Sequence, residues 1–156
     1  MSTIARHTRT WVLLLLLGSL SPAFGKDLNT LIRLLYSAYV AEQGSAMCMV
    51  PSIKLSDSDR AVFIDAHNYA QLVKQKISTG LGDDDVQFVL KSAADRARED
   101  MLQVVGVLKS KPPDKEYAEL FRWCTNNMKP GAEKLLRGYT EAPDALDKLI
   151  DNAKHD

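Results

Sequence analysis

Few side chains in this chain of 156 residues have chemistry to offer. Beyond the first 25 residues there are two histidines, His67 and His155, and two cysteines, Cys48 and Cys124. His155 stands second from the end. His67 follows Asp65 and Ala66 at the border of an apolar stripe, and no nucleophile, second histidine or glycine-rich loop lies near it in sequence. A general base with no group to act on is not a catalytic constellation, so His67 reads as a boundary residue held by a structural hydrogen bond. Met47-Cys48-Met49 sets two thioethers beside a thiol, a soft ligand set suited to Cu(I), and Met101 or Met128 could extend it. Pairing Cys48 with Cys124 would remove the thiolate, and methionine is also ordinary core filler, so no metal site is expected. No cofactor is expected either. Histidine opposite methionine can ligate haem b inside a bundle, but there is no Cys-x-x-Cys-His attachment motif. Asp83-Asp84-Asp85 lacks the alternating oxygen ligands and the distant acidic residue of a calcium loop. It reads instead as the acidic first turn of a helix, with Asp83 as its cap.

What remains is recognition chemistry. Trp123 adjoins Cys124, with Arg122 and Arg137 alongside, and tryptophan, tyrosine and arginine are the types that dominate binding hot spots. Arg122, Trp123 and Arg137 are therefore the candidate partner-binding residues, and the loop bearing Cys48 is expected to join them. The alternative for Trp123 is a core position.

The chain begins with Arg6, His7 and Arg9, then an apolar run from Trp11, then Ser19, Ser21 and Pro22. That run is about half of the roughly 20 residues needed to cross a bilayer. Small residues at Ala23 and Gly25 complete the layout of a cleavable signal peptide over residues 1–25, leaving 26–156 as a single helical domain in the periplasm or outside the cell. After cleavage the balance is 18 basic against 20 acidic residues, a net charge of −2. Near-neutral, intermixed charge gives no electrostatic reason to bind nucleic acid or an anionic membrane. An oxidising compartment favours a disulfide between the two cysteines.

These residues must be positioned by helices. Leu28, Leu31, Ile32, Leu35, Tyr36, Tyr39 and Val40 form a wide apolar face after Asp27, and Gly44 is the expected stop. Periodicity disappears from Ser45 to Leu55, which places Cys48 in a loop broken by Pro51. Ser56 and Asp59 form a capping-box pattern opening a second helix that carries Val62, Ala66, Tyr69, Val73 and Ile77 and stops at Gly80, read as a left-handed terminator. A third helix bears a stripe at Val86, Leu90, Ala93, Ala97, Met101, Val104 and Leu108, and its charges at Asp95, Arg96, Arg98, Glu99 and Asp100 read as a solvated face with Arg96 and Asp100 paired. After Pro112 and Pro113 comes a matching stripe, Tyr117, Phe121, Cys124, Met128, Ala132, Leu135 and Tyr139, which crosses Pro130 with a break expected near Lys129 and an end at Gly138. Two matched stripes could pack side by side for about 33 Å at 1.5 Å per residue. Leu146, Leu149, Ile150 and Ala153 form a short last helix that serves as a lid over the bundle edge or frays. The expected fold is all-α, an up-down four-helix bundle with an additional short C-terminal helix and one disulfide.

Three functions fit such a chain. The first is a protein-binding module of immunity, inhibitor or chaperone type, recognising another exported protein. The second is a carrier of a small apolar ligand between the helices. The third is a hydrolytic or lyase-type enzyme drawing on carboxylates such as Asp65, Glu99 and Asp100. The absence of a catalytic constellation favours the first.

Overall fold

The computed structural model describes residues 26–154; the signal segment read at 1–25 and His155 lie outside them. In chain order the helices are α1 (Lys26–Cys48), α2 (Asp57–Gly80), α3 (Asp83–Lys109), α4 (Pro113–Trp123), α5 (Lys129–Glu141) and α6 (Ala145–Ala153). A π-helical turn, Cys124–Met128, joins α4 to α5 without a gap. No strand occurs among the described residues.

The wide apolar face of α1 has the consequence its pattern implies: this helix touches α2, α3, α5, α6 and the π turn. Leu31, Leu35 and Ala38 are fully buried. Polar groups flank the same helix and hold its neighbours in place. On one side the Glu42 carboxylate accepts from Lys74 Nζ at 2.6 and 2.7 Å and from the Gln71 amide, both on α2. Lys74 also lies over the Tyr39 ring, 5.4 Å from its centroid. On the other side the Tyr36 hydroxyl donates to Asp100 Oδ2 at 2.6 Å, and the Arg96 guanidinium sits 5.1 Å from the Tyr36 ring centroid. Arg96 and Asp100 thus each serve Tyr36 and do not form the helical pair expected of them.

α3 buries Val86, Ala93, Ala97, Met101 and Leu108 as its stripe requires, but against α1. The long side-by-side packing of this stripe with the Cys124 stretch does not form, because α1 occupies the place between them. α3 touches α4 and α2 besides. The start of α3 also differs from expectation: Gly82 is the cap residue, without a side-chain bond, and Asp83, Asp84 and Asp85 occupy the first turn, where they favour the positive end of the dipole. Ser56 does cap α2, accepting from the Asp59 amide at 3.1 Å.

Of three glycines read as helix stops, Gly80 does end α2, though not in the left-handed conformation, and the other two lie inside helices. α1 continues past Gly44 to Cys48, and Gly44 is buried because a side chain there would collide with the Met128 methyl. Cys48 therefore sits in the last turn of α1 and not in an irregular loop. Gly80 is the seat of α6, since a Cβ on it would lie 2.6 Å from Ile150 Cγ2. α5 likewise runs past Gly138 to Glu141. α6 is a docked element: Leu146, Ile150 and Ala153 are buried, and Asp147 pairs with Lys76 of α2 at 2.7 Å.

The core divides in two. One cluster gathers Leu31 and Leu35 with Val73, Ile77, Val89 and Ile150. The second surrounds the cysteines with Ala41, Phe63, Ala66, Met128 and Ala132. Cys48 and Cys124 Sγ lie 2.07 Å apart, at disulfide distance, with both residues fully buried. The link spans 76 residues of sequence, for which the chain-entropy account gives about 4 kcal/mol of stability. Reducing the protein, or replacing both cysteines by alanine, is expected to lower the denaturation midpoint by that order while far-UV circular dichroism keeps most of its helical signal. Two free thiols titrated in the folded protein isolated under non-reducing conditions would contradict the bond.

Candidate interaction surface

A π turn joins the exposed α4 to α5, which packs on α1 and α2. Its closing bond runs from the Lys129 amide to the Cys124 carbonyl, five residues back. Pro130, in the first turn of α5, has no amide hydrogen and in an unbroken α-helix would crowd the carbonyl four residues before it. A wider turn just upstream relieves that conflict. It also resets the angular phase, since residues in an α-helix follow one another at about 100° and a π turn uses more residues per revolution. Met128 and Ala132 lie in the core beyond the turn and Cys124 lies in it at the start, whereas Tyr117 and Phe121, on the same stripe by simple spacing, are 59% and 41% exposed. α4 has no buried residue.

Both ends of the π turn are anchored. Cys124 at its start is held by Cys48, and Lys129 just after it places Nζ 2.5 Å from Asp59 Oδ1 at the start of α2. Lys129 beside Asp59, together with the Ser56 hydroxyl, holds the Asp59 carboxyl below the usual carboxylate range, and Asp59 in turn pushes the Lys129 amine up.

Of the residues expected to contact a partner, two fall together. Arg122 is exposed and pairs with Glu119 of its own helix at 2.9 Å. Trp123 is half-buried against the disulfide cluster, so it is neither a free surface group nor a core residue. Arg137 is exposed on α5, about 20 Å farther along the helical path, and does not join them. Sequence reasoning placed Tyr117 and Phe121 in the core and so missed the outward aromatic pair. No signal in the spacing marks them, because Tyr117, Phe121 and the buried Cys124 share one face of a regular helix.

The other chemistry-bearing groups make no site. His67 is half-buried, and its Nδ1 is buried without a hydrogen-bond partner, so the structural bond expected there is not made through that atom. Ser45 Oγ is also buried and unpartnered. The two share a level of the α1–α2 interface, between the Lys74–Glu42 contact and the 3.4 Å bond from Arg60 Nη1 to the Met49 carbonyl. Ser45 is fully buried, which denies a substrate access to it. Asp65 and Glu99 are exposed, and Asp100 is occupied by Tyr36. Burial, helped by the Asp100 acceptor, raises the Tyr36 hydroxyl above the usual tyrosine range; burial does the same to Tyr39 and Tyr69. These hydroxyls stay protonated, and that of Tyr36 acts as a donor. Among the described residues no group of three or more His, Cys, Asp or Glu side chains converges as metal ligands do. A depression of about 330 Å³ lies between α2 and α6, but it is rimmed by Lys76, Asp147, Asp151 and Lys154 around Ile150, a polar lining ill-suited to an apolar ligand.

An unpartnered buried ring nitrogen costs free energy that an apolar side chain would not. Replacing His67 by leucine is therefore expected to leave stability unchanged or raise it by up to about 1 kcal/mol in urea denaturation. A loss of more than about 2 kcal/mol would give His67 a structural role. No protein-family model, curated protein or solved structure matches this chain.

Proposed function

We propose that this protein is an exported binding module that recognises another exported protein through α4. The observation that carries the reading is a helix with no buried residue that turns Tyr117 and Phe121 to solvent, next to a half-buried Trp123. Apolar side chains held outward on an anchored helix lose little entropy when a partner covers them. Aromatic and arginine side chains at such places supply most of the energy of an interface. The disulfide and the Lys129–Asp59 pair fix the direction in which α4 points, which is the structural form of preorganisation. Arg122 and Trp123 belong to this surface. Arg137 belongs to its far margin.

Export rests on the amino-terminal pattern of residues 1–25, and periplasmic or secreted location follows from it. Among the described residues no helix is long and apolar enough to cross a membrane. For the architecture that presents α4, we favour the up-down bundle of α1, α2, α3 and the α4–α5 rod with α6 added; the short α2–α3 and α3–α4 connections support it.

The test is capture by the tagged protein from the exported fraction of its own source, comparing the natural sequence with Tyr117→Ala combined with Phe121→Ala. Both side chains are exposed, so the variant is expected to keep its melting temperature within a few degrees while partner affinity falls by at least about 2 kcal/mol. Undiminished capture by a folded variant would overturn the assignment of this surface.

A further inference from the structure

We infer that the partner seated on α4 is a second copy of this chain, packed antiparallel about a two-fold axis close to Ala118. The inference names the occupant of the surface assigned above and rests on that assignment. It starts from spacing. Asp114, Tyr117, Ala118, Phe121 and Arg122 follow one another at intervals of three, one, three and one, which places all five on a single face of α4, and all five are exposed.

That face is complementary to itself. A two-fold interface brings the same patch of both molecules together, so residue i meets residue j and j meets i. Reversing α4 about Ala118 sets Asp114 opposite the partner's Arg122 and Arg122 opposite the partner's Asp114, two attractive pairs. A parallel pairing would oppose like charges at both places, so electrostatics selects the antiparallel orientation. Tyr117 falls two residues, about 3 Å, from the position opposite the partner's Phe121, within reach of offset ring contacts on both sides of the axis. Ala118, the smallest side chain of the five, lies where the two backbones come nearest. Arg122 at present bonds Glu119 within its own helix at 2.9 Å, an exposed pair whose exchange for Asp114 costs little.

The size of the contact sets its strength. α4 has 11 residues and is about 16 Å long, so the pairing falls at the small end of specific interfaces and a dissociation constant in the micromolar range follows.

Sedimentation equilibrium of the chain from Lys26 onward, from about 1 μM to 1 mM, is the direct test. The natural chain is expected to move from monomer to dimer across that range. Asp114→Arg alone and Arg122→Asp alone should each weaken self-association roughly tenfold or more, and the double exchange should restore it to within about threefold. Circular dichroism checks that each variant is folded. A chain that stays monomeric to the highest concentration, or a folded double exchange that fails to restore pairing, overturns the inference. If the natural chain is monomeric but Tyr117→Ala with Phe121→Ala abolishes capture of a different protein, the self-pairing fails while the binding surface stands. Self-association that these substitutions leave untouched overturns both.

Discussion

The bond between Cys48 and Cys124 holds together the two features that give this molecule its character. It ties the last turn of the central helix, α1, to the first residue of the π turn. Without an anchor there, the cheapest response to Pro130 would be a break or a kink. With Cys124 held at one end and Lys129 paired to Asp59 at the other, the helical path is carried through a wider turn and stays continuous. α4 lies before that turn and none of its residues is buried, so its aromatic side chains Tyr117 and Phe121 stand in solvent.

Packing and polar contacts divide the work between them. The apolar clusters supply the bulk of the driving force for folding, whereas the contacts of Glu42 and Tyr36 set where α2 and α3 lie along α1. Half-buried pairs of this kind add modest stability and considerable specificity of register. Close approach does the rest: Gly44 admits Met128 and Gly80 admits Ile150, so the π turn and α6 each settle against a backbone with no side chain in the way.

Much of the fold was legible in the residues, because long helices with complete stripes leave little choice. The Ser56 cap, the buried positions of α2 and α3, the last helix and the pairing of the cysteines all follow from local rules. What local rules could not give was which helix takes the middle. The stripes of α3 and of the Cys124 stretch match in spacing, but the broader face of α1 lets it contact both sides at once, and it displaces that pairing. Gly44 and Gly138 misled for a related reason. A glycine read alone suggests a stop, while its value here at Gly44 and Gly80 is the space it leaves for a residue far away in sequence. At the candidate site, residue type singled out Arg122 and Trp123, whereas Tyr117 and Phe121 share a helical face with the buried Cys124, and spacing alone does not show that α4 buries none of its residues.

The account makes α1 the centre of the molecule and α4 an arm with no buried residue, packed only through partly buried side chains such as Leu120 and Trp123. Native-state hydrogen exchange on dilute protein tests this most directly, because exchange through local opening reports how firmly each helix is packed. Amides of α1 from Leu35 to Ser45 should be the slowest, approaching the free energy of global unfolding, and those of α4 from Tyr117 to Trp123 should exchange at least tenfold faster than those of α5. Protection of α4 equal to that of α1 would mean that its aromatic face is covered within the monomer, and the account would be contradicted.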